Sequence, residues 1–546
     1  ILEELYKRRP DVLCFSCYIW NIDYVTDIAR EYKKLCPSVP IWVGGPEVSY
    51  EVEAFLRENP YIDGVMIGEG EDTFRELCGY YAHKRKLSDI AGIAFRKNST
   101  GNSTSNRTSV NNAGCKADEI VFTSPRPIKN MSEIPFCYDT LDDFSNRIIY
   151  YESSRGCPFS CSYCLSSVDK TLRFRDTEIV KRELKFFIDQ KVPQIKFVDR
   201  TFNCNHAHAM ELWRFIKAND NGVTNFHFEI SADLLNQEEL ELISDMRPGL
   251  IQLEIGVQST NEVTIKEIHR TMKLERLKEV VKLIQSGNNI HEHLDLIAGL
   301  PYEDYDSFGR SFDEIYELKP NQLQLGFLKV LKGSYMFEHA AEYGIVYHDK
   351  PPYEVMSTKW LSFDDVIKIK RVEDMLEVYY NSGQFEITMK LMECIFDSAF
   401  EFFQELGDFY EANGYFGMSH SRIRRCEILL EFLALYLHGC DSDAMTSVGL
   451  FGNAGDRDNT DFDENAQIYS MIQESLIFDL YYRENCKSRP VWATDIGSFK
   501  HMTHAYCKNG KLSHVEPFHY IFPDKHTRKL DELPKYHKEP VWALFH

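Results

Sequence analysis

Three cysteines, Cys157, Cys161 and Cys164, stand in a C-x3-C-x2-C loop that follows the apolar run Ile148-Ile149-Tyr150-Tyr151. Thiolates this close on one loop can grip a single iron-sulfur cluster, and a four-iron cluster held by only three of them keeps one iron without a protein ligand. Such an iron is a place for chemistry. A structural zinc knot is the competing use of the same residues, but zinc prefers four closed ligands. Cys137 or Cys204 could complete one, though neither sits in the paired spacing such sites show. A disulfide framework fits worse, because the chain is long and its 15 cysteines are odd in number and scattered singly.

The stretch from 146 to 335 must position that loop. Strand patterns fall at 148–152, 194–198, 225–230, 251–257, 293–298 and 322–330, with helical patterns between them at 178–190, 207–219, 237–246 and 274–287. Repeated parallel units at this spacing suggest an open (β/α)6 barrel, whose chemistry collects at the carboxyl ends of the strands. Polar residues fall at those ends: Asp199 and Arg200 after the second strand, Glu229 in the third, and Gln258 after the fourth. Glu229 is flanked by Phe228 and Ile230, which face the opposite way on an extended strand. His291 and His293 share a face around Glu292 and invite a metal reading. They lie at the start of their strand, away from the active rim, so a surface location is expected.

The cysteine loop and the segments that follow it resemble the radical S-adenosylmethionine (radical SAM) superfamily. Phe197-Val198-Asp199-Arg200-Thr201-Phe202 is similar to the F-x-D-D-x-F segment of cobalamin-type members, with Arg200 in place of the second acid. Gly256-Val257-Gln258-Ser259 and Ile268-His269-Arg270 resemble the G-x-Q-S and I-x-R segments of two branches, and Asp295-Leu296-Ile297-Ala298-Gly299-Leu300-Pro301 resembles a third shared segment. The resemblance covers about 20–335. It implies a [4Fe-4S] cluster on Cys157, Cys161 and Cys164, and reductive cleavage of SAM to a 5′-deoxyadenosyl radical. SAM would be bound by Tyr163 near the adenine, Asp199, Glu229 at the amine or ribose, Gln258, Arg270 at the carboxylate, and Gly299, where a missing Cβ lets adenine approach the backbone.

Ahead of the barrel, strand patterns at 11–16, 41–43 and 62–67 alternate with helical patterns at 23–35 and 52–58, which means a parallel sheet wound on both faces. Ser16, Gly44 and Gly45 occupy carboxyl ends of its strands. This part resembles the C-terminal portion of the cobalamin (B12)-binding domain found before many radical SAM domains, in which those three positions line the cleft for the nucleotide tail. Plain turn glycines explain Gly44 and Gly45 equally well. The usual opening strands and a D-x-H-x-x-G loop are absent from the sequence as it begins at Ile1, so cobalamin is expected if the chain is a fragment of a longer protein.

The resulting division is a partial cobalamin-binding-like α/β unit at 1–95, a flexible insertion and linker at 96–145 containing the stretch rich in Ser, Thr and Asn, the barrel at 146–335, and a mainly helical domain at 336–546. Helices are expected there at 364–380, 385–406, 419–438 and 467–483, a loop at 441–466, and a strand at 518–522. No residue of this last region names a reaction, and Cys426, Cys440, Cys486 and Cys507 are too far apart to suggest a second cluster. A net charge of −22 opposes non-specific binding to nucleic acid or anionic membranes. No apolar run approaches the length of a membrane span. Singly placed cysteines fit a reducing cytoplasm. The expected function is radical chemistry on a small molecule or peptide, including cobalamin-dependent methyl transfer, fed by an external electron donor such as flavodoxin or ferredoxin. A radical SAM tRNA-modifying enzyme and a non-catalytic iron-sulfur or zinc scaffold are the alternatives.

Overall fold

The computed structural model describes residues 1–97, 119–138, 140–144, 147–168, 170–438, 464–483, 489–493, 514–523, 527, 530 and 532–545. The Ser/Thr/Asn-rich stretch from 98, residues 441–463 of the loop expected at 441–466, and Cys440, Cys486 and Cys507 lie outside them, while residues 464–466 of that loop open a helix.

The first sheet holds β1 (Leu13–Ser16), β2 (Ile41–Gly44), β3 (Gly64–Met66), β4 (Ile93–Arg96) and β5 (Ile120–Phe122) in that spatial order. β1 to β3 run parallel, as the alternation with helices requires, and helix Ile22–Leu35 packs Ile22, Val25, Ala29 and Tyr32 inward at helical spacing. β4 and β5, beyond the three strands expected from sequence, continue this sheet antiparallel. Residues 82–92 follow helix Gly70–Tyr81 and carry the chain to β4, which pairs antiparallel on β3 where a direct helical crossover would have given a parallel strand. β5 also falls inside the segment read as insertion and linker.

The second sheet is an open (β/α)6 barrel. β6 (Ile149–Tyr151) precedes a two-residue ladder of β7 (Ser154–Arg155) with β8 (Arg173–Phe174), and β9 (Gln194–Phe197), β10 (Asn225–Ile230), β11 (Ile251–Gln258), β12 (His291–Ala298) and β13 (Gln322–Phe327) follow. The spatial order β6-β9-β10-β11-β12-β13 keeps all six neighbouring strands parallel. Along β12 burial alternates: Leu294, Leu296 and Ala298 are fully buried, while His293 and Asp295 point the other way. The lumen face of β11 is likewise polar, with Gln252 and Glu254. Side chains that fill a closed eight-stranded barrel are mostly branched and apolar; this open barrel leaves a polar lumen instead. The helices between strands begin on side-chain caps: Asp176 Oδ1 accepts from the N–H groups of Glu178 and Ile179 (3.0 and 3.2 Å), and Asn236 with Glu239 forms a capping box.

After the barrel come a small hairpin of β14 (Val346–Tyr347) and β15 (Val355–Ser357), then helices Phe363–Leu376, Glu386–Ile395, Ala399–Ala412, Arg422–His438 and Glu464–Arg483. The single helix expected at 385–406 is two helices. The chain breaks at Ser398, whose hydroxyl caps the next helix at the Glu401 N–H (3.0 Å) and donates to Asp313 on the barrel (2.7 Å). The strand expected at 518–522 is β16 (His514–Tyr520), and its unforeseen antiparallel partner is β17 (Tyr536–Phe545).

Candidate active site

The cysteine loop leaves β6 and is tied at both feet. Asp199, just past β9, accepts from Ser153 N–H (2.9 Å), Ser153 Oγ (2.7 Å) and Ser154 Oγ (2.5 Å). The β7–β8 ladder closes the loop behind it. Gly156 sits at φ 94°, and a Cβ there would stand 2.5 Å from the Thr171 carbonyl oxygen, so only glycine turns this corner. Further along, Ser162 N–H donates to Ile268 O and Met336 N–H donates to Ser162 O, both at 2.9 Å. Outside the strands the rings of Phe197, Phe202 and Phe228 pack with centroids 4.3 to 5.3 Å apart, which holds the ends of β9 and β10 firm.

So held, Cys157, Cys161 and Cys164 line one cavity of about 180 Å³ at the carboxyl end of the barrel. Cys157 and Cys161 are buried. Four other residues expected from sequence line the same cavity: Tyr163, Glu229, Gln258 and Arg270. Arg270 donates to the Gly256 carbonyl and to the Tyr163 hydroxyl (3.3 Å), and its Nη1 lies 4.0 Å from Cys161 Sγ. Burial pushes the Cys161 thiol up and the Arg270 charge pulls it back down. Gln258 follows an irregularity in the β11–β12 register and sits at φ 77°, with a buried Oε1 that no described group meets. Burial also raises the Glu229 carboxyl, with Arg200 acting against it.

Two residues expected at SAM are placed elsewhere. Asp199 does not line the cavity; its carboxylate is fully occupied by Ser153 and Ser154, and burial raises it to about 6 in spite of them. Gly299 is at φ 87°, and a Cβ there would meet Val355 Cγ1 at 2.6 Å, so its need for glycine comes from the hairpin packed on it. Three charged residues not expected at SAM line the cavity as well: Arg200, Glu254 and Asp295. Glu254 Oε2 takes Lys196 Nζ and His227 Nε2, both at 2.9 Å, and these hold its carboxyl down at about 2. Asp295 Oδ1 is buried with no hydrogen-bond partner among the described residues, and burial, Glu254 and Glu229 raise its carboxyl to about 7. The signal that could have found both acids is the period-two alternation of β11 and β12, which aims them into the lumen.

The surface location expected for the histidine pair and Glu292 also needs correction. His291 is exposed, but Glu292 is fully buried and His293 turns into the lumen, 2.8 Å from Gln252 Nε2. Alternation along an inner strand sends successive side chains to opposite faces, and neither face of β12 is free surface. Among the described residues no three His, Cys, Asp or Glu side chains converge as ligands of one metal ion. A cluster, whose thiolates bind different irons, does not ask for that convergence. The donor set therefore fits an iron-sulfur cluster: three thiols on one loop, a guanidinium beside one of them, and unpartnered polar atoms on Gln258 and Asp295 across the cavity.

At the first sheet, Ser16 and Gly44 are register partners at the carboxyl ends of β1 and β2. A Cβ on Gly44 would press on Met66 at 3.2 Å, and one on Gly45, at φ 110°, would stand 2.5 Å from the Cys17 carbonyl oxygen. Neighbouring backbone and side chains demand these glycines without any ligand. Beyond β3, Gly68 and Gly70 have open space where a Cβ would point.

Comparison with known proteins gives three family models: B12 binding domain over 1–78, Radical SAM superfamily over 151–315, and a protein of unknown function (DUF4080) over 341–531. The chain is 28% identical to the cobalamin-dependent radical SAM methyltransferase TokK of Streptomyces tokunonensis, over 57% of this chain and 45% of that one. It is 24% identical to an uncharacterized methyltransferase of Pyrococcus horikoshii, over 68% of this chain and 76% of that one. It thus spans less than half of the first of these relatives. The structure of the cobalamin-dependent S-adenosylmethionine radical enzyme OxsB with aqua-cobalamin and S-adenosylmethionine bound superposes with a TM-score of 0.52 at 15% identity, covering 88% of this chain and 73% of that one. Loop, barrel and the preceding sheet agree with these family models: the chain carries a Radical SAM superfamily domain over 151–315, preceded by a B12 binding domain over 1–78.

Proposed function

We propose that this protein is a radical SAM enzyme that initiates radical chemistry on a small-molecule or peptide substrate, with cobalamin-dependent methyl transfer as the following step. The observation that carries this reading is one cavity lined by three thiols from a single loop and by Glu229, Gln258, Arg270 and Asp295 around the barrel rim. When bound on Cys157, Cys161 and Cys164, a [4Fe-4S] cluster supplies the electron that breaks a carbon-sulfur bond of the SAM sulfonium, and cobalamin supplies a methyl carrier. Arg270 orients the loop through Tyr163 and presents positive charge to the cofactor carboxylate. Glu229 and Asp295 accept hydrogen bonds from amine or ribose donors, and the deep cavity keeps bulk water from the reacting atoms. Ser16, Gly44 and Gly45 are assigned to the nucleotide tail of cobalamin.

The same reading divides the chain at 1–95, 96–145, 146–335 and 336–546 and gives it a cytoplasmic location and a reduced flavodoxin or ferredoxin as electron source. No described helix is long and apolar enough to cross a membrane. Anaerobic reconstitution followed by a SAM-cleavage assay tests the proposal. The expected result is about four irons per chain, as a [4Fe-4S] cluster requires, and release of 5′-deoxyadenosine after reduction. A protein that takes up iron, binds SAM and releases none of that product is a scaffold instead.

A further inference from the structure

We propose that Arg200 recognises an anionic oxygen group, a carboxylate or a phosphate, on the substrate that enters the cavity after SAM; this rests on the radical SAM reading above. Two of the side chains lining the cavity are cations, Arg200 and Arg270. Arg270 is occupied, since it donates to the Gly256 carbonyl and the Tyr163 hydroxyl and faces Cys161. Arg200 is exposed at the mouth and makes no hydrogen bond and no ion pair with any described side chain. Its backbone is set in place: the Thr201 hydroxyl donates to the Arg200 carbonyl (2.8 Å) and lies 3.9 Å from Cys157 Sγ, so the guanidinium springs from the wall that carries the first cysteine.

The acids of the cavity do not neutralise it. Glu254 is taken by Lys196 and His227, Asp295 sits on β12 across the lumen, and Glu229 shares the cavity with Arg200 without closing an ion pair. Asp199, its neighbour in sequence, is turned away into Ser153 and Ser154. A free planar fork of donors at the mouth of a site suits a carboxylate or phosphate oxygen pair, with geometry that a lysine does not reproduce. Depth then sorts the two arginines, the inner one toward the cofactor and the outer one toward what arrives next.

The test is anaerobic calorimetry on the reconstituted, SAM-loaded full chain, titrated with inorganic phosphate and, separately, with acetate. The wild type is expected to bind one equivalent of at least one of them, and the stronger arm identifies the group. Arg200→Gln is expected to weaken that binding about tenfold, the size of a lost charge-assisted hydrogen-bond pair, and Arg200→Lys to weaken it less. SAM affinity should stay within about threefold in both variants, because Arg270 still faces the cofactor. Two results overturn the proposal: anion binding that is absent from the wild type or unchanged in Arg200→Gln, and a loss in SAM affinity that matches the loss in anion affinity. If the wild type itself takes up no iron or no SAM, the underlying reading fails first and takes this one with it.

Discussion

Asp295 and Glu254 show how neighbours divide the work between two carboxyls of one lumen. Lys196 and His227 hold Glu254 ionised, whereas Asp295 has only burial and two acids near it, offset in part by Lys196 and Arg270. A carboxyl raised to about 7 on folding favours the native state fully below its unfolded value near 4. That contribution is lost as pH rises toward 7. Asp295→Asn should therefore gain on wild type in thermal midpoint between about pH 4 and 7, on the order of a few kcal/mol at the upper end. Parallel pH profiles for the two proteins would show that Asp295 titrates normally. At the cysteines, Cys157→Ala, Cys161→Ala and Cys164→Ala should each lose most bound iron after reconstitution. Cys204→Ala should keep it, because that thiol lies outside the cavity and burial raises it to about 11. Iron and sulfide analysis decides this, and equal loss in Cys204→Ala would point to four protein ligands.

At the scale of elements, buried caps decide where helices begin. Asp479, fully buried on helix Glu464–Arg483, accepts from the Ile387 and Thr388 N–H groups (3.0 and 2.9 Å) and from Thr388 Oγ1 (2.8 Å), capping helix Glu386–Ile395 from a partner far along the chain. Asp479→Ala would strand these donors, at a cost of about 2 to 3 kcal/mol. Urea denaturation should show it, and a change within about 0.5 kcal/mol would mean that water replaces the carboxylate. Ser398 and Asp313 do the same across the barrel boundary, where Asp313 also accepts from the Phe400 N–H (2.9 Å) and Gly309 lets the Phe400 ring approach. Period and propensity cannot announce such caps, because the acid and the amide are brought together only by packing.

For the whole molecule, the first sheet is docked on the cysteine loop through charge. Arg155, two residues before Cys157, binds Glu152 (2.7 Å), Glu71 (2.8 Å) and Glu69 (3.3 Å), while Arg173 takes Glu69 (2.5 Å) and Lys129 takes Asp72 (2.8 Å). On the far side of the same edge, Tyr353 donates to Glu47 in the turn that follows Gly45. These groups are part exposed, so each pair contributes modestly. Arg155→Ala should speed amide exchange across 156–164 about fivefold, near 1 kcal/mol, while helix Thr177–Asp189 stays protected. Hydrogen-exchange mass spectrometry would find no change if the sheet and loop were held by apolar contacts alone.

Much of this was written in the residues alone. Spacing along one loop brings Cys157, Cys161 and Cys164 together whatever the rest of the chain does, and periods of two and near four place the barrel strands and their helices to within a few residues. Glu229 and Gln258 follow, since each stands at a strand end, whereas Arg270 lies beyond helix Glu262–Glu267 and is reached only through the I-x-R resemblance. What tertiary structure decided is which polar groups are already answered by protein. Asp199, expected at SAM, has its carboxylate on Ser153 and Ser154, Val355 packs where a Cβ on Gly299 would stand, and Arg200, visible in the sequence only as a basic residue in an acid's place, makes no ion pair with any described side chain. The physical reason is that hydrogen-bond partners across a barrel lie on different strands, so whether a side chain has one depends on register and depth, and neither is encoded in a residue's own neighbourhood.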